Sequence, residues 1–189
     1  MRKLVLFMHM SLDGFAGDPN GGLGFLTYDK ELQDYADELV KTVGAPVYGK
    51  TTYQLMEGYW PTVLKKADAD THSRQHAEWL ENIPKIVFSR TLKEVTWNNT
   101  SLISDNAAEE IEKLKQQEGK DLVIFGSPGL TAYFMSLGLI DEYKLTVHPI
   151  IQGKGINPFR NNDVKSKLKL LESKTLKSGV VTLHYQTIA

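Results

Sequence analysis

The 189-residue chain has no cysteine, which excludes disulfides, thiolate metal sites, iron–sulfur clusters and a cysteine nucleophile. It has no surplus of charge either. Lys and Arg number 22 against 23 Asp and Glu, so the chain shows neither the basic footprint of a nucleic-acid binder nor a disordered composition. No stretch approaches the ~20 apolar residues that cross a bilayer. The run Leu4–Met8 follows two positive charges as a secretion signal would, but His9, Ser11 and Asp13 cut it short and no small-residue cleavage site follows. The expectation is a cytoplasmic protein without membrane or nucleic-acid partners, in which the Asn98-Asn99-Thr100-Ser101 sequons stay unused. Repeats, low-complexity tracts and linkers are absent as well. One domain over 1–189 follows, long enough to bury roughly 70% of the surface of its unfolded chain.

What is present alternates between two periods. Four short apolar runs bounded by polar or turn residues, Lys3–Met10, Pro46–Tyr48, Lys85–Phe88 and Asp121–Phe125, read as buried strands. Between them, Asp29–Val43 places Leu32, Tyr35, Ala36, Leu39 and Val43 on one helical face. A second helix begins near Tyr53, a third runs from Asp105 or Asn106 to Glu118, and a fourth covers Leu130–Leu137. This alternation predicts right-handed crossovers and a parallel sheet covered on both faces. The last third is strand-like over Tyr143–Ile151, Leu168–Leu176 and Val180–Thr187. Lys177-Ser178-Gly179 reads as a hairpin turn that makes the last pair antiparallel.

In such a sheet, ligands bind beyond the carboxyl ends of the strands. Three strand ends carry one theme: Gly49-Lys50-Thr51-Thr52, Ser89-Arg90-Thr91 and Gly126-Ser127-Pro128-Gly129-Leu130. Each joins small residues, which let backbone approach an anion, to hydroxyls or a cation near a helix start. Any one of them could be an ordinary cap; three in succession point to a diphosphate-containing cofactor. No G-x-G-x-x-G follows a strand and no G-x-x-x-x-G-K-[ST] exists. Arg90 between two hydroxyl residues suits a ribose 2′-phosphate, which favours NADP over NAD.

These segments carry a resemblance to the dihydrofolate-reductase-like superfamily, and within it to the RibD C-terminal (riboflavin-biosynthesis reductase) domain family, especially its stand-alone bacterial members. The match runs nearly end to end. It comprises Ser11-Leu12-Asp13-Gly14-Phe15, Gly49-Lys50-Thr51-Thr52-Tyr53, Ser89-Arg90-Thr91-Leu92, Ile124–Leu130, and Gly138-Leu139-Ile140-Asp141-Glu142 leading to His148-Pro149-Ile150-Ile151. The resemblance implies a three-layer α/β/α fold and NADPH held by the three loops above. It also implies that the segment from Met8 to Gly17 contacts the nicotinamide side and that Tyr59 and Trp60 lie near a substrate mouth. Asp13 and Phe25 complete the expected substrate side, Phe25 from a loop long enough to act as a lid.

Two departures stand out. Lys50 replaces the family's usual Arg, and Met56-Glu57-Gly58 stands where riboflavin-pathway reductases carry Asp-Asp-Pro; the deaminase signature is also missing. Reduction of an imine needs a proton for nitrogen, so a carboxyl near the site is sought. Asp34, twelve residues before Pro46, occupies a place like that of the acid in dihydrofolate reductases, and Glu57 is its rival. His72 and His76 share a helix face but lack a third metal ligand, so no metal is expected. The function expected is NADPH-dependent reduction of a small heteroaromatic or imine-containing substrate, either a pterin or a riboflavin-pathway pyrimidine such as 5-amino-6-(5-phosphoribosylamino)uracil. The alternative is a non-catalytic NADP(H)-binding sensor or scaffold. The family habit and the apolar C-terminal strands add a homodimer.

Overall fold

The computed structural model describes residues 1–159 and 165–188. Eight strands form one sheet: β1 (Leu4–Ser11), β2 (Val43–Gly49), β3 (Lys85–Phe88), β4 (Thr100–Ile103), β5 (Asp121–Phe125), β6 (Glu142–His148), β7 (Lys167–Thr175) and β8 (Val181–Ile188). Their order is β4-β3-β2-β5-β1-β6-β8-β7. All neighbours from β4 to β6 are parallel, and β6-β8-β7 are antiparallel. The five helices are α1 (Lys30–Val40), α2 (Lys50–Val63), α3 (Thr71–Asn82), α4 (Ala107–Gln116) and α5 (Pro128–Ser136).

The pleat of β1 shows why its run is apolar without alternation. Leu4, Leu6, Met8 and Met10 pack with Ile111 of α4 and with Phe134 and Met135 of α5. Val5 and Phe7 point the other way, toward Leu39 and Tyr35 of α1. Both faces of the strand are covered, so both parities must be apolar. Tyr48 of β2 and Val87 of β3 meet Tyr53 of α2 and Leu80 of α3. Thus α1, α2 and α3 form one outer layer and α4 and α5 the other, the expected three-layer arrangement. Among the described residues no helix is long and apolar enough to cross a membrane.

Most boundaries shift by a few residues, α2 opening at Lys50 and not near Tyr53 and β6 ending at His148 and not at Ile151; two differences have a clear physical reason. The first helix stops at Val40, and Val43 opens β2 instead of closing the helix. At Gly44 the backbone runs so close to the carbonyl of Lys120 that a Cβ would collide with it, which favours glycine and extended chain there. The other difference is β4, which has no apolar run because it is a partly exposed edge strand. At the opposite edge every residue of β7 is exposed. Leu168, Leu170 and Leu171 stand among Lys167, Lys169 and Lys174 on that strand, and the register slips between Leu170 and Glu172.

Candidate active site

Because six strands are parallel, Ser11, Gly49, Phe88, Ile103, Phe125 and His148 all end at one edge of the sheet. Three of the five helix N-termini, those that directly follow β2, β4 and β5, differ from the other two. Asp29 and Asp70 cap α1 and α3, accepting hydrogen bonds from the amides of Leu32 and Ser73, each at 2.9 Å. In contrast Gly49, Asn106 and Ser127 precede α2, α4 and α5 without any side-chain cap. Their first-turn N–H groups and partial positive charge remain available to an anion.

The three loops read as phosphate grips come together here, whereas Met8 and Gly17, also expected to touch the cofactor, do not join them. The Gly49 amide donates to Ser127 Oγ at 3.1 Å, and a Cβ on Gly49 would sit 3.5 Å from that of Leu130. Lys50 Nζ reaches Thr91 Oγ1 at 3.3 Å, tying the Gly49–Thr52 and Ser89–Thr91 loops. Ser89 Oγ accepts from the amides of Thr91 and Leu92. Gly126 and Ser127 both have positive φ, +58° and +47°, so two successive left-handed residues turn the chain from β5 into Pro128. The space around Gly126 and Gly129 is open. Beside these loops lies a groove of about 240 Å³ with Ser89, Arg90, Ser104, Ala107, Leu130 and Tyr133 in its wall. Arg90 stands exposed at its rim. Ser104 and Ala107 were not legible in the sequence because they follow the unread strand β4.

The substrate side is arranged differently from the expectation. Met8 is a core side chain on the α4/α5 face. Gly17 is buried where the first loop crosses residues 153–156: its carbonyl accepts from the Ile156 amide and approaches Gly155 closely. Asp13 accepts from Ser11 Oγ at 2.7 Å and from the amides of Gln152 and Gly153 at 3.0 and 2.7 Å. Those bonds, the Gln152 amide foremost, lower its pKa to about 2. Asp13 is therefore a loop lock. Phe25 lies edge-on to His148, the last residue of β6, with centroids 5.6 Å apart.

Neither expected acid is placed to act on a substrate. Asp34 lies on the solvent side of α1 with 59% of its side chain exposed and 2.5 Å from Lys30 Nζ; its spacing from Pro46 fixes a position along the helix, not the face. Glu57 is engaged by Tyr53 Oη at 2.6 Å and Thr96 Oγ1 at 2.5 Å. Burial would raise its pKa, but the hydrogen bonds from Thr96 and Tyr53 outweigh it and hold the carboxyl below its usual range. Glu57 thereby joins α2 to the segment before β4. Tyr59 and Trp60 sit nine and ten residues along α2 from Lys50, roughly 14 Å of helix, and Trp60 packs on His76 of α3 with centroids 4.4 Å apart. Trp60 thus serves helix packing, while Tyr59 is exposed. Asp34→Asn is accordingly expected to change neither cofactor affinity nor turnover by more than about twofold, since an exposed pair contributes little; steady-state kinetics check it.

One cluster escaped the sequence reading. His9 Nδ1 lies 2.6 Å from Thr146 Oγ1, Thr146 Oγ1 lies 3.4 Å from His148 Nε2, and the Thr27 amide donates to His148 Nδ1 at 3.2 Å. The β1–β6 register sets His9 opposite Thr146, across 137 residues of chain, and no local pattern reveals such a pairing.

Comparison with known proteins bears on the same edge. A family model described as the RibD C-terminal domain matches residues 2–182. The uncharacterised protein YyaP of Bacillus subtilis (strain 168) is 33% identical over 184 residues, 97% of this chain and 94% of its own. The structure of a putative riboflavin biosynthesis protein from Shewanella sp. PV-4 superposes with a TM-score of 0.76 at 21% identity, covering 99% of both chains. Dihydrofolate reductase from Enterococcus faecalis, complexed with NADP(H) and RAB-propyl, gives a TM-score of 0.59 at 13% identity, over 99% of this chain and 97% of its own. At these identities the two structures speak for the fold.

Proposed function

The chain belongs to the RibD C-terminal domain family, and from that premise we propose that it is an NADPH-dependent reductase of a small heterocycle. The observation that carries the reading is the set of three helix N-termini left without side-chain caps at one sheet edge, two of them joined by the Gly49–Ser127 hydrogen bond. Under this reading, Gly49–Thr52 and Gly126–Leu130 hold the diphosphate of the cofactor. The groove beside Leu130 and Tyr133 takes the adenosine, and Arg90, Ser89, Thr91 and Lys50 meet the 2′-phosphate. The donor set fits such a group: amides and hydroxyls for diphosphate, an exposed guanidinium for a terminal phosphate. NADPH supplies a hydride when bound. The chain's own part is to hold the reacting rings at the end of β1, under the loop that carries Phe25.

A riboflavin-pathway pyrimidine is favoured over a pterin by the family and by the name of the Shewanella neighbour. The test is a titration with NADPH followed by turnover with a pterin and with the phosphoribosylaminouracil. At NADPH a hundredfold above its dissociation constant, the unfolding free energy is expected to rise by about 2.7 kcal/mol. Binding with oxidation of NADPH by the pyrimidine supports the proposal. Tight binding without turnover on either substrate supports a sensor or scaffold instead, and no stabilisation by NADPH ends both readings.

A further inference from the structure

We propose that His9 is a fixed hydrogen-bond donor facing the substrate, its proton held on Nε2 by a one-way chain that starts at the Thr27 amide. The inference rests on the reductase reading only in calling the ligand a substrate; the chain itself is a property of the apoprotein.

The direction of the chain follows from its first link. A backbone amide can only donate, so the Thr27 N–H requires a bare Nδ1 on His148. Neutral His148 then carries its proton on Nε2, which faces Thr146 Oγ1 at 3.4 Å. Thr146 has one hydroxyl proton. Its oxygen has lone pairs for both rings, but among the described residues His9 Nδ1, at 2.6 Å, is the one acceptor its own proton meets, so neutral His9 is left protonated on Nε2. The reverse order would leave His148 bare on both nitrogens, an imidazolate, or set two N–H groups against each other at Thr27.

The chain is closed at one end and open at the other. Thr146 and His148 are fully buried. His9 Nε2 has no partner among the described residues, and it is not one of the buried unpartnered side-chain atoms, which are Tyr48 Oη and Ser178 Oγ; it therefore reaches solvent. His9 lies two residues before the end of β1, on the face shared by Phe7 and the α1 layer. Its ring sits edge-on to Phe7 at 5.0 Å and to His148 at 5.6 Å. Burial, with repulsion from His148 adding to it once that ring is protonated, lowers the His9 pKa to about 4, so the ring is neutral near pH 7.

A chain that ends on an amide does not conduct protons, because the amide keeps its own. His9 consequently polarises a ligand acceptor without protonating it, and no bond is made or broken at the imidazole. The matching ligand presents a carbonyl oxygen or an imine-type ring nitrogen at that point, as a uracil ring does. The link through Thr27, two residues from Phe25, makes the donor's orientation depend on the docked loop.

Nitrogen-15 NMR of the histidines in the full-length apoprotein at pH 7 reads the first part. The expected result is Nε2-protonated His9 and His148, with the His9 Nδ1 resonance moving on Thr146→Val and faster exchange of the Thr27 amide on His148→Phe. A proton on Nδ1 of either ring in the wild type overturns the chain, and this outcome needs no variant to fold. For the second part, 5,6-diaminouracil is titrated into NADPH-saturated protein. His9→Phe is expected to weaken it roughly tenfold, the larger end for a lost neutral hydrogen bond. His9→Gln, which keeps an N–H, should stay within about threefold. Equal affinity for wild type and His9→Phe, or no binding to the wild type, overturns the ligand assignment. Failure of NADPH to bind strikes the reductase reading alone, since the histidine protons are read without it.

Discussion

Arg90→Ala is expected to weaken NADPH binding by roughly ten- to a hundredfold while leaving NADH binding nearly unchanged, so that most of the preference between the two disappears. The reason is the exposed guanidinium at the rim of the groove beside Ser89. A hydrogen bond to a charged group contributes about 1.5–3 kcal/mol, and each 1.4 kcal/mol is tenfold in affinity. Solvent screening at the rim pulls the effect toward the lower figure. Lys50, held near Thr91 at 3.3 Å, brings a second positive charge to the same place as a point donor, so a residual preference of a few-fold should survive. Arg90→Lys should fall between, keeping the charge and losing the fork. Fluorescence titration of both cofactors at fixed salt measures this, and a wild type that binds NADH and NADPH equally well would contradict the 2′-phosphate assignment.

Acidification from pH 7 to pH 4.5 is expected to remove several kcal/mol of stability, most of it above the range in which carboxylates titrate. His9 and His76 are both lowered to about 4, burial being the larger cause in each. The charge of His148 adds to the shift at His9; that of His72 adds to it at His76, where Asp37 opposes it. In the unfolded chain both titrate near 6.5. Between those values the unfolded state binds more protons. Stability is therefore full above about pH 6.5, declines as pH falls toward 4, and loses nothing further from these groups below it. Each shift corresponds to at most about 3 kcal/mol at 1.36 kcal/mol per unit. His76 lies between Trp60 and Trp79, tilted to the two rings by 45° and 53° with centroids 4.4 and 5.1 Å away, so His76→Phe keeps the packing and should remove about half of the decline. Urea unfolding at a series of pH values checks this; a flat profile from pH 7 to 5 would show that the rings protonate freely in the native state.

The sheet was legible wherever local composition and burial coincide. β3 and β5 begin and end where their apolar runs do, because strands covered on both faces favour apolar residues; Lys85, buried at the start of β3, is held by the carbonyls of Leu80 and Ile83. Val43 misled the helix reading because it continues the spacing of Leu32, Tyr35 and Leu39 yet lies beyond the point where the chain must extend past Lys120. The phosphate-grip loops could be read because strand ends and small residues are local features. The carboxylates could not be placed, since what decides their use is a partner: Lys30 one turn before Asp34, and Thr96 39 residues beyond Glu57. The histidine chain depends on which strand lies beside β1, and that is a property of topology.

The outer strand β7 bears on how the protein behaves when crowded. A nine-residue edge with every residue exposed is open to backbone pairing, and three leucines beside Ile188 make it adhesive. The slip that leaves Leu171 unmatched between Leu170 and Glu172 interrupts the ladder midway, while Lys167, Lys169 and Lys174 repel their own counterparts across any new seam. Such an edge can receive one copy in a closed twofold pair, as the homodimer expected from the sequence would need, yet resists the endless strand-upon-strand growth that produces fibrils.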